Sequence, residues 1–122
     1  MRTAKIASVP SFIALLLMLF LPQNLMASEN GLVLEKVENP YVCMMTNRAF
    51  PNEQIPVQIG DKTYYGCCPG CEAKLKSSEK ERMAIDPVSG NAVDKATAVI
   101  GSDKSGAVYY FENEENLKNY TP

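Results

Sequence analysis

The chain has 122 residues, 12 of them basic, 14 acidic and none histidine, for a net charge of −2. That length holds one domain or two very small ones, and the charge balance argues against nucleic acid or anionic lipid as a partner. Without histidine there is no imidazole base and no Cys-His or Ser-His pair, so no enzymatic activity is expected.

Arg2 and Lys5 precede an apolar run of ten residues, Phe12 to Leu21. Pro22 ends it, and Leu25-Met26-Ala27 forms a small-residue cleavage pattern before Ser28. Residues 1–27 therefore read as a secretory signal peptide. The run is shorter than the ~20 residues of a membrane span, so no stable membrane anchor is expected after cleavage. The product is expected to be periplasmic or secreted. Removing residues 1–27 takes away two of the twelve basic residues and none of the acidic ones, which leaves a net charge of −4. The remaining 95 residues bury only a modest core, and exported domains of this size commonly add a disulfide or a metal as a staple.

Residues 28–39 read as a lead-in segment, with ordered structure beginning at Asn39-Pro40. Two similar units follow, over 40–83 and 84–122. The first opens with VCMM, Val42 to Met45. A strand is expected over Gln54 to Ile59, where Ile55, Val57 and Ile59 alternate with polar residues. Gly60-Asp61-Lys62 makes a hairpin turn, and Thr63-Tyr64-Tyr65 resumes the strand. GCCPGC, Gly66 to Cys71, is a tight turn, and Glu72 to Lys80 is rich in helix formers.

The second unit opens with DPVSG, Asp86 to Gly90, in the place of VCMM. Ala96 to Ile100 and Ala107 to Phe111 are strand candidates around a polar turn at Gly101 to Gly106. Glu112 to Tyr120 is helix-like, with Leu117 and Tyr120 on one face. Tyr64-Tyr65 matches Tyr109-Tyr110 forty-five positions on, and Val42-Cys43 matches Val88-Ser89 forty-six positions on. In this register Ser89 stands for Cys43, Glu112 for Cys67 and Asn116 for Cys71. The chain is therefore a tandem repeat whose second copy lacks the cysteines.

The cysteine pattern is Cys43, a long gap, then Cys67, Cys68 and Cys71. Tetrahedral thiolate sites take ligands from two separated places, one of them a tight turn. Gly66 and Gly70 let the backbone fold closely about an ion. A helix N-terminus after the turn favours thiolate over thiol. Cys67 and Cys71, four apart, fall on one helical face. Cys43, Cys67 and Cys71 are the expected core ligands, with Cys68 a fourth ligand or a bystander.

All-sulfur ligation selects Cu(I) or Zn(II), one ion per chain, or a toxic thiophilic ion. Met44 and Met45 offer thioethers that favour Cu(I), or serve as core fillers. Disulfides are the competing use of the same residues in an oxidising compartment, although a Cys67–Cys68 bond would be strained. Two further roles remain open, an adaptor module held together by zinc or a disulfide and a thiol redox protein using CPGC.

These residues resemble the TRASH and YHS families of small metal-binding domains. The YHS pattern has a DPVCGM-like run and later YYFC with a cysteine four residues on. The second unit shows DPVSGNAV and AVYYFENEENL, and the first shows VCMM and TYYGCCPGC. The TRASH pattern of one cysteine, a gap near twenty and C-x3-C is met by Cys43, Cys67 and Cys71, with a slightly longer gap. The resemblance implies an α+β fold of treble-clef-like ββα units in tandem. It also implies a role in heavy-metal sensing, trafficking or resistance, with a metal transporter or a recipient metalloenzyme as partner. Carried over residue by residue, it supports Cys43, Cys67 and Cys71 as ligands and leaves Cys68 outside the shared pattern.

Overall fold

Short stretches of alternating apolar and polar residues favour hairpins, and hairpins account for most of this fold. The computed structural model describes residues 33–122, a mixed α+β arrangement of nine short strands, all paired antiparallel, and two helices. The signal-peptide reading falls outside the described residues.

The first half begins with a small hairpin of β2 (Val42–Cys43) and β3 (Arg48–Ala49), in which Cys43 faces Arg48. A second hairpin follows, β4 (Ile55–Ile59) against β5 (Lys62–Gly66). Its two-residue turn places Gly60 at φ 63, a left-handed position that glycine occupies without a Cβ clash. Helix α1 (Pro69–Ser77) packs back on this hairpin through the buried Leu75. It starts earlier than the expected Glu72. Proline is tolerated at the first helical position, and Cys68 before it is extended, at φ −158 and ψ 166.

A 3-10 turn over Glu79–Arg82 leads into the second half. There β6 (Met83–Ile85) pairs with β7 (Ala92–Asp94), and β8 (Val99–Ser102) with β9 (Val108–Phe111). Helix α2 (Glu114–Asn119) closes the order, with Tyr120 lying edge-on to the buried Phe111. Strand β8 begins three residues later than expected from sequence. Asp94 holds residues 96–98 in a turn instead: its carboxylate accepts from the Ala96 N–H, and its carbonyl from the N–H groups of Thr97 and Ala98.

Two expectations are corrected. The segment read as a lead-in contributes β1 (Glu35–Val37), which pairs with β8 and makes a three-stranded sheet. The edge of β8 needs a partner, and Gly101 has no side chain, so Leu34 and Leu117 approach its backbone closely. The register of the repeat also differs. Cys43 closes its small hairpin opposite Arg48, and Asp86 does the same opposite Asn91, whose carbonyl accepts its N–H at 2.9 Å. The residue before the closing partner has positive φ in both, Asn47 at 53° and Gly90 at 77°. Asp86, and not Ser89, is therefore the counterpart of Cys43. The first hairpins are offset by forty-three residues and the helices by forty-five.

The halves share one hydrophobic core, in which Val42, Met44 and Leu75 meet Ile100, Val108 and Tyr110. Polar links reinforce the join. The Asp94 carboxylate accepts from Lys62 at 2.7 Å and from the Tyr64 hydroxyl at 2.9 Å.

Two carboxyls sit below the ordinary carboxylate range. Burial pushes Asp86 up, but the Asn116 amide and the N–H groups of Glu112, Val88 and Ser89 together bring it down. Burial also opposes ionisation of Asp94, where Lys62, the Ala96 N–H and Tyr64 prevail. A carboxyl with a depressed folded pKa contributes stability that is present above its unfolded value of about 3.9 and lost as pH falls through the folded value. The thermal midpoint should therefore hold from pH ~7 to ~5 and fall below pH ~4. Asp86→Asn should flatten part of that acid limb, which calorimetry across this range measures.

Candidate metal centre

The second hairpin brings the chain back so that residues far apart in sequence meet. Cys43 is the last residue of β2, Cys67 directly follows β5, and Cys71 is the third residue of α1. The Met44 N–H donates to the Tyr65 carbonyl at 2.9 Å and pins the end of the first hairpin to β5. The three thiols then converge. Cys71 Sγ lies 4.0 Å from Cys43 Sγ and 3.6 Å from Cys67 Sγ. All three sulfurs are within 4.8 Å of one another. Metal–sulfur bonds of about 2.3 Å in tetrahedral geometry put sulfurs about 3.8 Å apart, close to the separations of Cys71 Sγ from the other two.

Gly66 makes this convergence possible. A Cβ at that position would stand 2.9 Å from the Cys71 Cβ, closer than carbon atoms pack. The sequence reading gave Gly66 and Gly70 the same part, but a Cβ at Gly70 would meet only the Cys68 sulfur, at an ordinary 3.8 Å.

Cys68 takes a different position. It is the extended N-cap of α1, with its sulfur 3.2 Å from Cys71 Sγ, and it is not one of the three mutually close thiols. Cys43 is buried, whereas Cys67 and Cys68 are exposed. The site thus has a buried anchor and a rim open to solvent. Met44 lies fully inside the core and Met45 packs against it, as core fillers do.

The thiols differ in acidity. Burial would raise Cys43, but the Thr46 hydroxyl and N–H, the Cys67 thiol and the Met45 N–H outweigh it and bring it down to about 7. Cys67 is pushed up to about 12 by its hydrogen bonds to Cys43 and Cys71, with burial adding to them. Cys71 is raised, chiefly by burial. Cys68 is lowered, first by the backbone N–H of Cys71 at the helix start. One negative charge at Cys43 is favoured, and each further thiolate is opposed by those already present.

Lys95 stands behind the site, and nothing in the sequence pointed to it. Its side chain is buried, its Nζ donates to the Met44 carbonyl at 2.7 Å, and the ammonium lies 5.3 Å from the centre of the Tyr110 ring. Burial lowers its pKa, while the charges of Glu81 and Cys43 favour the ammonium. A lysine in a DKAT segment reads as an exposed turn residue. Its backbone is fixed by the bond from its own N–H to the Arg82 carbonyl at 2.9 Å and by the turn that Asp94 builds just after it.

Comparison with protein families, with curated proteins and with solved structures found no match. The class is therefore defined by the fold and the site alone. This is a mixed α+β protein with three cysteines, Cys43, Cys67 and Cys71, close enough together to hold a metal ion.

Gly66→Ala should displace Cys71 and weaken Cd(II) binding at least ~10-fold, at a stability cost of about 1–3 kcal/mol. Absorbance of the Cd–thiolate band during titration, alongside thermal unfolding, checks both effects.

Proposed function

We propose that this chain is an exported soft-metal-binding protein that takes one Cu(I) or Zn(II) ion, or another thiophilic ion, for trafficking, buffering or resistance. The convergence of three thiols from two chain segments to within 4.8 Å carries this reading. The cluster is all sulfur, and such a donor set favours soft and borderline ions.

Several features support the finer reading. Each half runs small hairpin, second hairpin, helix, the order required of a treble-clef-like ββα unit. The cysteine-bearing half followed by a cysteine-free half suits a tandem TRASH/YHS-type protein. Export rests on the signal-peptide pattern of residues 1–27. A metal transporter or a recipient metalloenzyme is the proposed partner. The exposed Cys67 and Cys68 give an incoming thiol a route to the ion, while the buried Cys43 keeps hold from below.

A thiol redox role is the second reading, favoured by the 3.2 Å approach of Cys68 Sγ to Cys71 Sγ. Exchange of that pair with an external disulfide, which is reduced to two thiols as the Cys68–Cys71 bond forms, would remove Cys71 from the metal site. The two readings therefore differ over Cys68, which the redox reading makes as necessary as Cys71 and the metal reading does not. Serine is a good N-cap, so on the metal reading Cys68→Ser keeps affinity within ~5-fold, whereas Cys71→Ser loses at least ~100-fold. Chelator-competition titrations of the anaerobic protein make the comparison. Equal losses from the two variants, or four thiols that react identically with and without metal, would defeat the proposal.

Acidity adds a second check. Cys43 ionises near 7, and Cys67 and Cys71 are held above the ordinary thiol range. Binding at pH 7.5 should therefore displace about two protons per ion, and apparent affinity should fall as pH drops through 7. Calorimetry in buffers of different ionisation enthalpy counts those protons.

A further inference from the structure

The cysteine-free half fills the same three places by other means. Asp86 is the counterpart of Cys43 by its hairpin pairing. Cys68 and Asn113 are both extended N-caps, at φ −158 and −157, so Glu112 corresponds to Cys67 and Asn116 to Cys71. Asp86 and Asn116 meet through their side chains, whereas Glu112 reaches Asp86 through its backbone N–H and its carboxylate accepts from the Asn91 amide at 3.0 Å. Asp86 Oδ2 accepts from the Glu112 N–H at 2.8 Å and from Asn116 Nδ2 at 2.8 Å. Its Oδ1 accepts from the N–H groups of Val88 at 2.7 Å and Ser89 at 3.2 Å. Those are the residues two and three beyond Asp86. The carboxylate is fully buried, and among the described residues no buried side-chain polar atom lacks a partner.

We infer that Asp86, joined to Glu112 and Asn116, is a hydrogen-bonded replacement for a metal ion, so that the second half closes without metal and holds the cysteine site ready for an exchangeable ion. Besides the Arg48 guanidinium, which donates to the Ser105 carbonyl at 2.7 Å, four hydrogen bonds with the second half grip the segment that follows Cys43. Lys95 Nζ reaches the Met44 carbonyl at 2.7 Å, the Val108 N–H reaches the Asn47 carbonyl at 3.0 Å, and the Tyr110 hydroxyl reaches Asn47 Oδ1 at 3.0 Å. The Gly106 carbonyl accepts from the Ala49 N–H at 2.8 Å. None of the four involves sulfur. On this view the ion is cargo, and the carboxylate lock performs the structural task. The exchangeability of the ion rests on the metal-binding reading, whereas the lock itself does not.

The test uses the reduced full chain. In excess chelator it should unfold cooperatively, and Asp86→Ala should lower its midpoint by at least ~10 °C. The combined variant Asp86→Cys, Glu112→Cys and Asn116→Cys should turn the lock into a second site, with two Zn(II) per chain by native mass spectrometry against one for the parent. Zn(II) should then raise the midpoint of that variant far more than the parent's. A parent chain that is unfolded in chelator and folds only with Zn(II) overturns the inference while leaving the metal-binding reading intact. A combined variant that takes up no additional Zn(II), folded or unfolded, also overturns it. If the parent binds no Zn(II) yet folds, and the combined variant binds one, the lock stands and the proposed function falls.

Discussion

The structure depends on one repeated constraint, the closure of a two-stranded knuckle against the junction where a strand becomes a helix. Neither partner is stable alone. A hairpin of two- or three-residue strands buries almost nothing by itself, and a helix of six to nine residues is too short to persist in water without a tertiary partner. Something at the knuckle tip must reach the residues just before and inside the helix. In one half that group is a thiol, and in the other a carboxylate.

The two solutions differ in electrostatics. A carboxylate is fully ionised at neutral pH and its oxygens accept four hydrogen bonds, so Asp86 can be fully buried and still satisfied. Three thiols in the same geometry share weaker hydrogen bonds and resist ionising together. This is expressed in the split between Cys43, near 7, and Cys67, near 12. Lys95 supplies one cationic group from beneath, through the Met44 carbonyl and the face of Tyr110.

Much of this was legible in the sequence, and the parts that were not have physical causes. Alternation at Ile55, Val57 and Ile59 and the glycine turn at Gly60 identified the central hairpin, because period-two patterning is a local signal. The spacing of Cys67 and Cys71 paired the right residues for the wrong reason: Cys67 lies outside α1, ahead of the extended Cys68, and the strand-to-helix turn, not a helical face, brings the two sulfurs to 3.6 Å. Three features depended on contacts distant in sequence. β1 forms because β8 has an open edge and Gly101 admits Leu34 and Leu117, which local composition does not reveal. Lys95 is buried where the Arg82 carbonyl and the Asp94 turn fix its backbone. Asp86 was misplaced because sequence similarity aligned Val-Ser with Val-Cys. The true equivalence lies in knuckle geometry, where a closing pair and a positive-φ residue matter and side-chain identity does not.

That misalignment bears on the role of the repeat. A copy that had simply lost its cysteines would keep an unfilled gap between knuckle and helix, with buried N–H groups facing no acceptor. The second half shows the reverse, since the N–H groups of Val88, Ser89 and Glu112 all converge on Asp86. Its aromatic and backbone groups then turn toward the first half, where Tyr110 and Val108 fasten Asn47. Knuckle rigidity is thus supplied from the half that needs no sulfur. On the proposed metal-binding reading the thiols are relieved of that task, and a site held in shape from the other half releases its ion without unfolding.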